Sequence, residues 1–405
     1  MPTVFFQEPE ETELEVAQRK VSELEAVLGQ DHLDLVGPLE SVLMFHFREA
    51  NYGKAEDVCR RVLLIEEKHL GSEHMNVATS LNNLAMLLST QGLYTEARLI
   101  YERSLAMKEK FLGPEHPDVA LALNNLAALL RKQGLYAKSR FLFERALVIR
   151  EKNQGPNHLN VAIVLNNLAL LLLDMGSSAE ARPLLERSLA INEKALGPEH
   201  PDVALALNNL AGLFHEMGSS AEARPLYERA LTIREKVLGL DHPDLAQTLN
   251  NLAGLLRAQG SYAEARPLYE RALAIYEKSL GPEHPRVALA LNNLAGLLQD
   301  QGSYARARSL HERSLMIREK VLGLEHPEVA SSLYNLAALI LEMGSGAEAH
   351  PLYRRGLDTA LQHLSANMGS MTEAERFMFL DSLAGPEPLL LNLVTMQGNG
   401  PKQTD

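Results

Sequence analysis

The chain has 405 residues, 46% of them hydrophobic and 22% charged, with no tryptophan and only 5% aromatics, so alanine and leucine must do most of the packing in an ordered protein. A formal charge of −13 argues against nonspecific attraction to nucleic acid or to anionic membrane. No window approaches the ~18 consecutive apolar residues of a membrane span. The start, MPTVFFQEPEETELE, lacks the basic stretch and apolar length of a signal peptide, so a cytoplasmic protein is expected.

Residues 1–27 read as an amino-terminal segment with a partial capping helix. From there the pair Leu-Gly marks a period, at Leu28, Leu70, Leu112, Leu196, Leu238, Leu280 and Leu322, with Gln154 standing before Gly155. The spacing is 42 residues without an insertion, giving eight repeats over 28–363, the first of them degenerate. LGPEHPDVALALNNLA occurs unchanged at 112–127 and 196–211. An active site needs each catalytic group once; a repeated sequence builds a surface from copies of one unit. Cys59, the single cysteine, excludes an internal disulfide, and its repeat mates Tyr101, Phe143, Leu185, Tyr227 and Tyr269 mark it as a core residue.

Each unit contains two helix-like segments separated by a break, such as PDVALALNNLAGLFHEM and SAEARPLYERALTIREKVL around Gly218. Leu207, Leu210, Ala211 and Phe214 form an apolar face at helical spacing, and Ala223, Tyr227, Ala230 and Leu231 form another. Neither helix can bury its stripe alone. They are expected to pack as an antiparallel hairpin, and each hairpin must cover the next. Ser177, Ser219, Ser261 and Ser345, each three residues before a glutamate, predict capping boxes for the second helices. Gly197 and its equivalents suit the left-handed end of that helix, and Pro201 and its equivalents the first turn of the next. Pro183, Pro225, Pro267 and Pro351 fall inside the second helix, where a tolerated kink is expected.

The pattern LNNLAxLLxxQGxYxEAxxLYERALxIxEKxLGxxHPxVA resembles the 42-residue tetratricopeptide repeat of kinesin light chains and nephrocystin-3. The resemblance covers about residues 28 to 363 and keeps the family's small residue in the first helix (Ala127, Ala211), the glycine at the break (Gly134, Gly218) and the late alanine of the second helix (Ala146, Ala230). It implies an all-α fold, a right-handed superhelical α-solenoid of helix-turn-helix repeats whose first helices line the concave side. About 27 residues precede the first repeat, where kinesin light chains carry a long coiled coil, so a motor role is not implied. The similarity among the repeats is closest in character to bacterial members of the family.

The period ends at SMTEAERFMFLDSLAGPEPLLLNLVTMQ. Residues 364–405 are expected to supply capping helices and a flexible tail, with Thr372 and Glu375 as a capping box and Phe377, Leu380 and Leu383 covering the last hairpin. The segment is also weakly similar to the linker that joins such repeats to a caspase-like CHAT protease domain. A regulatory repeat subunit of a separately encoded effector of that kind is therefore the alternative to a plain scaffold.

With the core stripe assigned, the adjacent stripe Leu205, Asn208, Gly212 and His215 should face the groove. Asparagine recurs there at Asn82, Asn124, Asn166, Asn208, Asn250 and Asn292, with Tyr334 breaking the row. Asparagine is a middling helix former, so six at one interior position need a reason. A side-chain amide both donates and accepts, so the row can serve as a ladder for the main chain of an extended peptide. The second row, Asn83 to Asn335, lies nearer the core stripe and is expected to join neighbouring helices. Gly212, Gly254 and Gly296 would lower the groove floor, at about 1 kcal/mol each relative to alanine. Arg131 and Lys132 lie in the third repeat; Asp174, Glu216, Asp300 and Glu342 follow at the Lys132 position, with Arg257 opposite them. These charges are either a partner's complement or a solvated face.

Eight of the fourteen histidines occupy one repeat position, His32 to His326. A metal needs its ligands within about 2 Å of one ion, far closer than neighbouring hairpins bring their residues, so the row is structural and sits at the start of each first helix. His215-Glu216 and His311-Glu312 lack the second histidine of a zinc-protease motif, and phosphate-binding glycine loops are missing. The sequence calls for no cofactor or metal and for a non-enzymatic scaffold that binds an extended peptide segment of a protein partner.

Overall fold

The computed structural model describes residues 12–367. Helix α1 (Glu13–Leu28) precedes eight hairpins. These are α2 (Val36–Arg48) with α3 (Tyr52–Leu70), α4 (Met75–Thr90) with α5 (Tyr94–Leu112), α6 (Pro117–Lys132) with α7 (Tyr136–Gln154), and α8 (Leu159–Asp174) with α9 (Ser178–Leu196). Then come α10 (Pro201–Glu216) with α11 (Ser220–Leu238), α12 (Pro243–Ala258) with α13 (Tyr262–Leu280), α14 (Pro285–Asp300) with α15 (Tyr304–Leu322), and α16 (Pro327–Glu342) with α17 (Gly346–Asn367). The architecture is the expected α-solenoid. The capping residues anticipated at Thr372, Glu375, Phe377, Leu380 and Leu383 lie outside the described residues.

Burial follows the two stripes. Leu207, Leu210, Ala211 and Phe214 are buried, as are Ala223, Tyr227 and Ala230. Each first helix packs on its own second helix, each second helix packs on the next first helix, and from α4 to α14 successive first helices also touch one another. The row whose members approach closest is the inner row of a curved array, so the first helices form the concave wall. Cys59 is buried, its thiol pushed up to about 12 by burial, as a core residue rather than a reactive one.

The helix ends differ from expectation at one place. Ser177, Ser219 and Ser261 occupy the N-cap position but their side chains make no capping hydrogen bond. Their backbones stand near φ −85°, ψ +57° rather than extended, and the main-chain carbonyl of Ser219 already accepts from the amides of Glu222 and Ala223. Leucine holds the same place before α5 and α7. The glutamates of two supposed boxes reach back instead, Glu180 to Arg140 at 3.0 Å and Glu264 to Arg224 at 3.2 Å.

The histidine row supplies the side-chain caps. In His74, His116, His158, His200, His242, His284 and His326, Nδ1 accepts the backbone N–H two residues on, at 3.1–3.2 Å, and His32 does so at 3.3 Å for the short 3-10 turn leading into α2. A backbone N–H can only donate, so each Nδ1 that accepts from one is unprotonated. Gly197, which ends α9, has φ +87° and ψ +158°, an extended positive-φ conformation essentially open only to glycine. Pro117, Pro201, Pro243, Pro285 and Pro327 take the first turn as expected. Helices α9, α11, α13 and α17 run on through their internal prolines.

The superhelix meets itself after six hairpins. The turn of the second hairpin abuts the start of the eighth: a Cβ on Gly92 would lie 2.5 Å from Cδ2 of His326, and the Tyr94 ring stands edge-on to His326 with centroids 6.3 Å apart. One repeat earlier, residues 49–54 of the first hairpin share a cavity of about 420 Å³ with the loop 280–284.

Candidate binding groove

On the concave wall, the two asparagine rows interlock. Nδ2 of Asn125 donates to Oδ1 of Asn82 at 3.1 Å, Asn167 to Asn124 at 3.0 Å, Asn209 to Asn166 at 2.7 Å, Asn251 to Asn208 at 3.1 Å and Asn335 to Asn292 at 3.0 Å. Each bond ties one first helix to the next. The expectation that the second row joins neighbouring helices is met, and its acceptor is the first row. Asn124, Asn208 and Asn250 are buried, not displayed as the groove reading required; Asn82, Asn166 and Asn292 remain half-buried. Oδ1 of Asn250 is buried and takes no hydrogen bond among the described residues.

Two helical turns further along the same helices a second ladder follows the same pairing. Arg131 lies 3.5 Å from Asp174, Arg257 grips Asp300 with Nε at 2.6 Å and Nη2 at 3.0 Å, and Gln299 donates to Glu342 at 2.8 Å. The charges expected to meet a partner are therefore largely paired within the chain. Lys132 sits deep in the concave wall yet reaches water; desolvation chiefly, and then Arg131, lower its pKa. Desolvation chiefly, with Asp174 adding, raises that of Glu216.

The three glycines are not equivalent. Gly212 and Gly254 leave ordinary room, with the Tyr227 and Tyr269 hydroxyls 3.6 and 3.5 Å from where a Cβ would lie. His215, half-buried and with its pKa lowered by desolvation, approaches Gly254 to 4.0 Å in the same sense. At Gly296 the space is already filled: Nη1 of Arg257 lies 2.5 Å from that point. Gly296 thus admits the Arg257–Asp300 pair rather than a ligand.

A further feature of the wall is apolar. Leu121, Ile163, Leu205 and Leu289 share one repeat position, three residues before the first asparagine row, and stand 40–54% exposed. Between the fourth and fifth hairpins Ile163 and Leu205 line a pocket of about 280 Å³ together with Asn166 and Asn167. Only Leu205 was placed in the groove from sequence. The signal that identifies the rest is an aliphatic residue recurring on an otherwise polar helix face.

Tetratricopeptide-repeat family models match residues 118–194, 160–236, 202–278, 244–315 and 286–362, and a second such model matches 77–118. The chain belongs to the tetratricopeptide repeat family. Its repeats are of the kinesin light chain type. A crystal structure of nearly identical TPR-like repeats from Podosopora anserina, assigned to a kinesin light chain, is 30% identical over 51% of this chain and 97% of that one, with a TM-score of 0.43. BtubC (BKLC) from P. vanneervenii is 23% identical over 60% of this chain and 92% of its own, with a TM-score of 0.44. A Rap protein complexed with Competence and Sporulation Factor matches 87% of this chain and 99% of its own at 14% identity, with a TM-score of 0.55. No curated protein sequence matches. Among the described residues no helix is long and apolar enough to cross a membrane. A repeat array of this family is a scaffold for protein–protein interaction.

Proposed function

We propose that this tetratricopeptide-repeat protein is a non-enzymatic scaffold whose concave groove binds an extended peptide segment of a protein partner, centred on the fourth and fifth hairpins. The observation that carries the reading is the pairing of exposed Ile163 and Leu205 with Asn166 and Asn167 in one pocket. Asn166 spends its carbonyl on the bond to Asn209, which leaves its amide hydrogens for a peptide carbonyl. Asn167 spends its amide on Asn124, which leaves its carbonyl for a peptide N–H. The ladder thus offers a donor and an acceptor per repeat beside an aliphatic strip that takes the peptide's apolar side chains. In this role the half-buried members of the first row, Asn82, Asn166 and Asn292, act at the groove margin, with Gly212, Gly254 and His215 shaping its floor and Lys132 its charge.

The test uses peptides selected from a random display library against the intact chain. Ile163→Asp and Leu205→Asp are expected to weaken the selected peptides at least tenfold while the melting temperature stays near that of the parent; Leu99→Asp, on a second helix, is expected to leave binding unchanged. Peptides that bind the Ile163→Asp and Leu205→Asp variants as well as the parent would place the contacts elsewhere.

A further inference from the structure

The turn of each hairpin has the same construction, yet the turns differ in what covers them. In the fourth to seventh hairpins the turn glycines Gly176, Gly218, Gly260 and Gly302 are exposed. In the third, Gln133 and Leu135 are fully buried and Tyr136 is 4% exposed. The seam explains the turns before it: the first turn faces the start of the seventh hairpin and the second faces the start of the eighth. The end of α17 lies beside the second turn, one repeat short of the third: Gln362 lines a cavity of about 630 Å³ with Gln91–Glu96.

Beside the third turn a cleft of about 610 Å³ runs between α5 and α7. Leu126 and Leu130 of α6 form its apolar floor, Arg98 and Ala137 flank it, and Phe141 stands at its lip, 64% exposed. In the fourth, fifth, sixth and eighth hairpins the position of Phe141 is proline and in the seventh serine; only the second hairpin, which borders the seam, carries another exposed apolar residue there, Leu99. The 38 residues that follow α17 carry Phe377, Phe379, Leu380, Leu383 and the run Leu389–Leu391.

We infer that the segment after residue 367 is the occupant of this cleft: the chain's own carboxy-terminal apolar residues extend the seam onto the third hairpin and fasten the superhelical ring from outside the groove. The surface is an intramolecular docking site, independent of the concave peptide groove.

Cysteine cross-linking in the full chain tests it. Ala137→Cys on the cleft is combined in turn with Ser370→Cys, Ala374→Cys and Ser382→Cys. Ala179→Cys, the same exposed position one repeat later, provides the matched control. Native Cys59 is buried and stays silent. A short bis-maleimide linker is expected to close at least one Ala137→Cys pair within a single chain, several times more completely than the corresponding Ala179→Cys pair. Equal yields at the two positions, no product, or products only between two chains would overturn the assignment, the last showing a second copy in the cleft.

Discussion

At the scale of single residues, the three groove glycines separate sequence pattern from spatial cause. All three cost helix stability by the same argument, and the sequence gives no way to rank them because what fills the space above each comes from a neighbouring hairpin. Above Gly212 there is room for a methyl group at ordinary contact distance; above Gly296 the Arg257 guanidinium occupies it. Gly212→Ala is therefore expected to raise stability by up to ~1 kcal/mol, whereas Gly296→Ala should show no gain, because the arginine must leave Asp300 to make way. Urea unfolding of the two single variants checks this. A stabilised Gly296→Ala protein would show that the Arg257–Asp300 pair adjusts freely. Asparagine poses the same problem: the recurrence of Asn82 to Asn292 was legible, but the burial of Asn124, Asn208 and Asn250 was not, because it depends on how neighbouring hairpins pack.

At the scale of elements, the sequence placed the helices well because period, proline and glycine act locally. It misjudged how they are capped. Serine three residues before glutamate fits a capping box for the second helices, but the turn geometry leaves no extended N-cap residue there, and the side-chain caps are instead the histidines of the first helices. That exchange has a pH consequence, since an imidazole caps only while Nδ1 is unprotonated. Burial lowers His284 and His326 from 6.5 to about 4. Above pH 6.5 both folded and unfolded states are neutral at these positions and the stabilisation is complete. Between 6.5 and 4 the unfolded chain binds more protons, so stability falls as pH falls, and below 4 the caps are lost. At pH 5 the loss is on the order of 1–2 kcal/mol per histidine. Asp174 and Glu216, whose pKa values burial raises, act in the opposite sense, so the informative quantity is a difference between proteins. A His284→Asn, His326→Asn variant keeps an acceptor without a titrating group, and its urea midpoint should fall less between pH 7 and 5 than that of the parent. Identical pH slopes would remove these two caps from the acid response.

At the scale of the whole molecule, two sets of contacts determine how the hairpins curve. Second helices are tied in sequence by one repeating ion pair, from Arg103–Glu67 to Arg355–Glu319, at 2.6–2.8 Å. Exposed pairs of this kind contribute little individually, at roughly 0–1 kcal/mol, but their common geometry repeats the same step from hairpin to hairpin. First helices are tied on the inner side by the asparagine ladder. Repetition of that step returns the chain to itself after six hairpins, so the seam at Gly92 and His326 depends on every unit between them. No local pattern announces it, which is why curvature was beyond the sequence. Gly92 and Gly218 both stand at positive φ, +80° and +73°, so alanine strains the backbone comparably at each. Only at Gly92 does the added Cβ meet another part of the ring, His326; around Gly218 there is nothing within 4 Å. Gly92→Ala should therefore part the seam and increase the radius of gyration measured by small-angle X-ray scattering, with helicity retained because each hairpin still packs on its neighbours. Gly218→Ala should show the backbone cost alone, as a lower melting temperature at unchanged size. If both variants keep the parent's scattering curve, the seam yields locally at His326 and the closed ring is held by the ladder and the hairpin contacts without it.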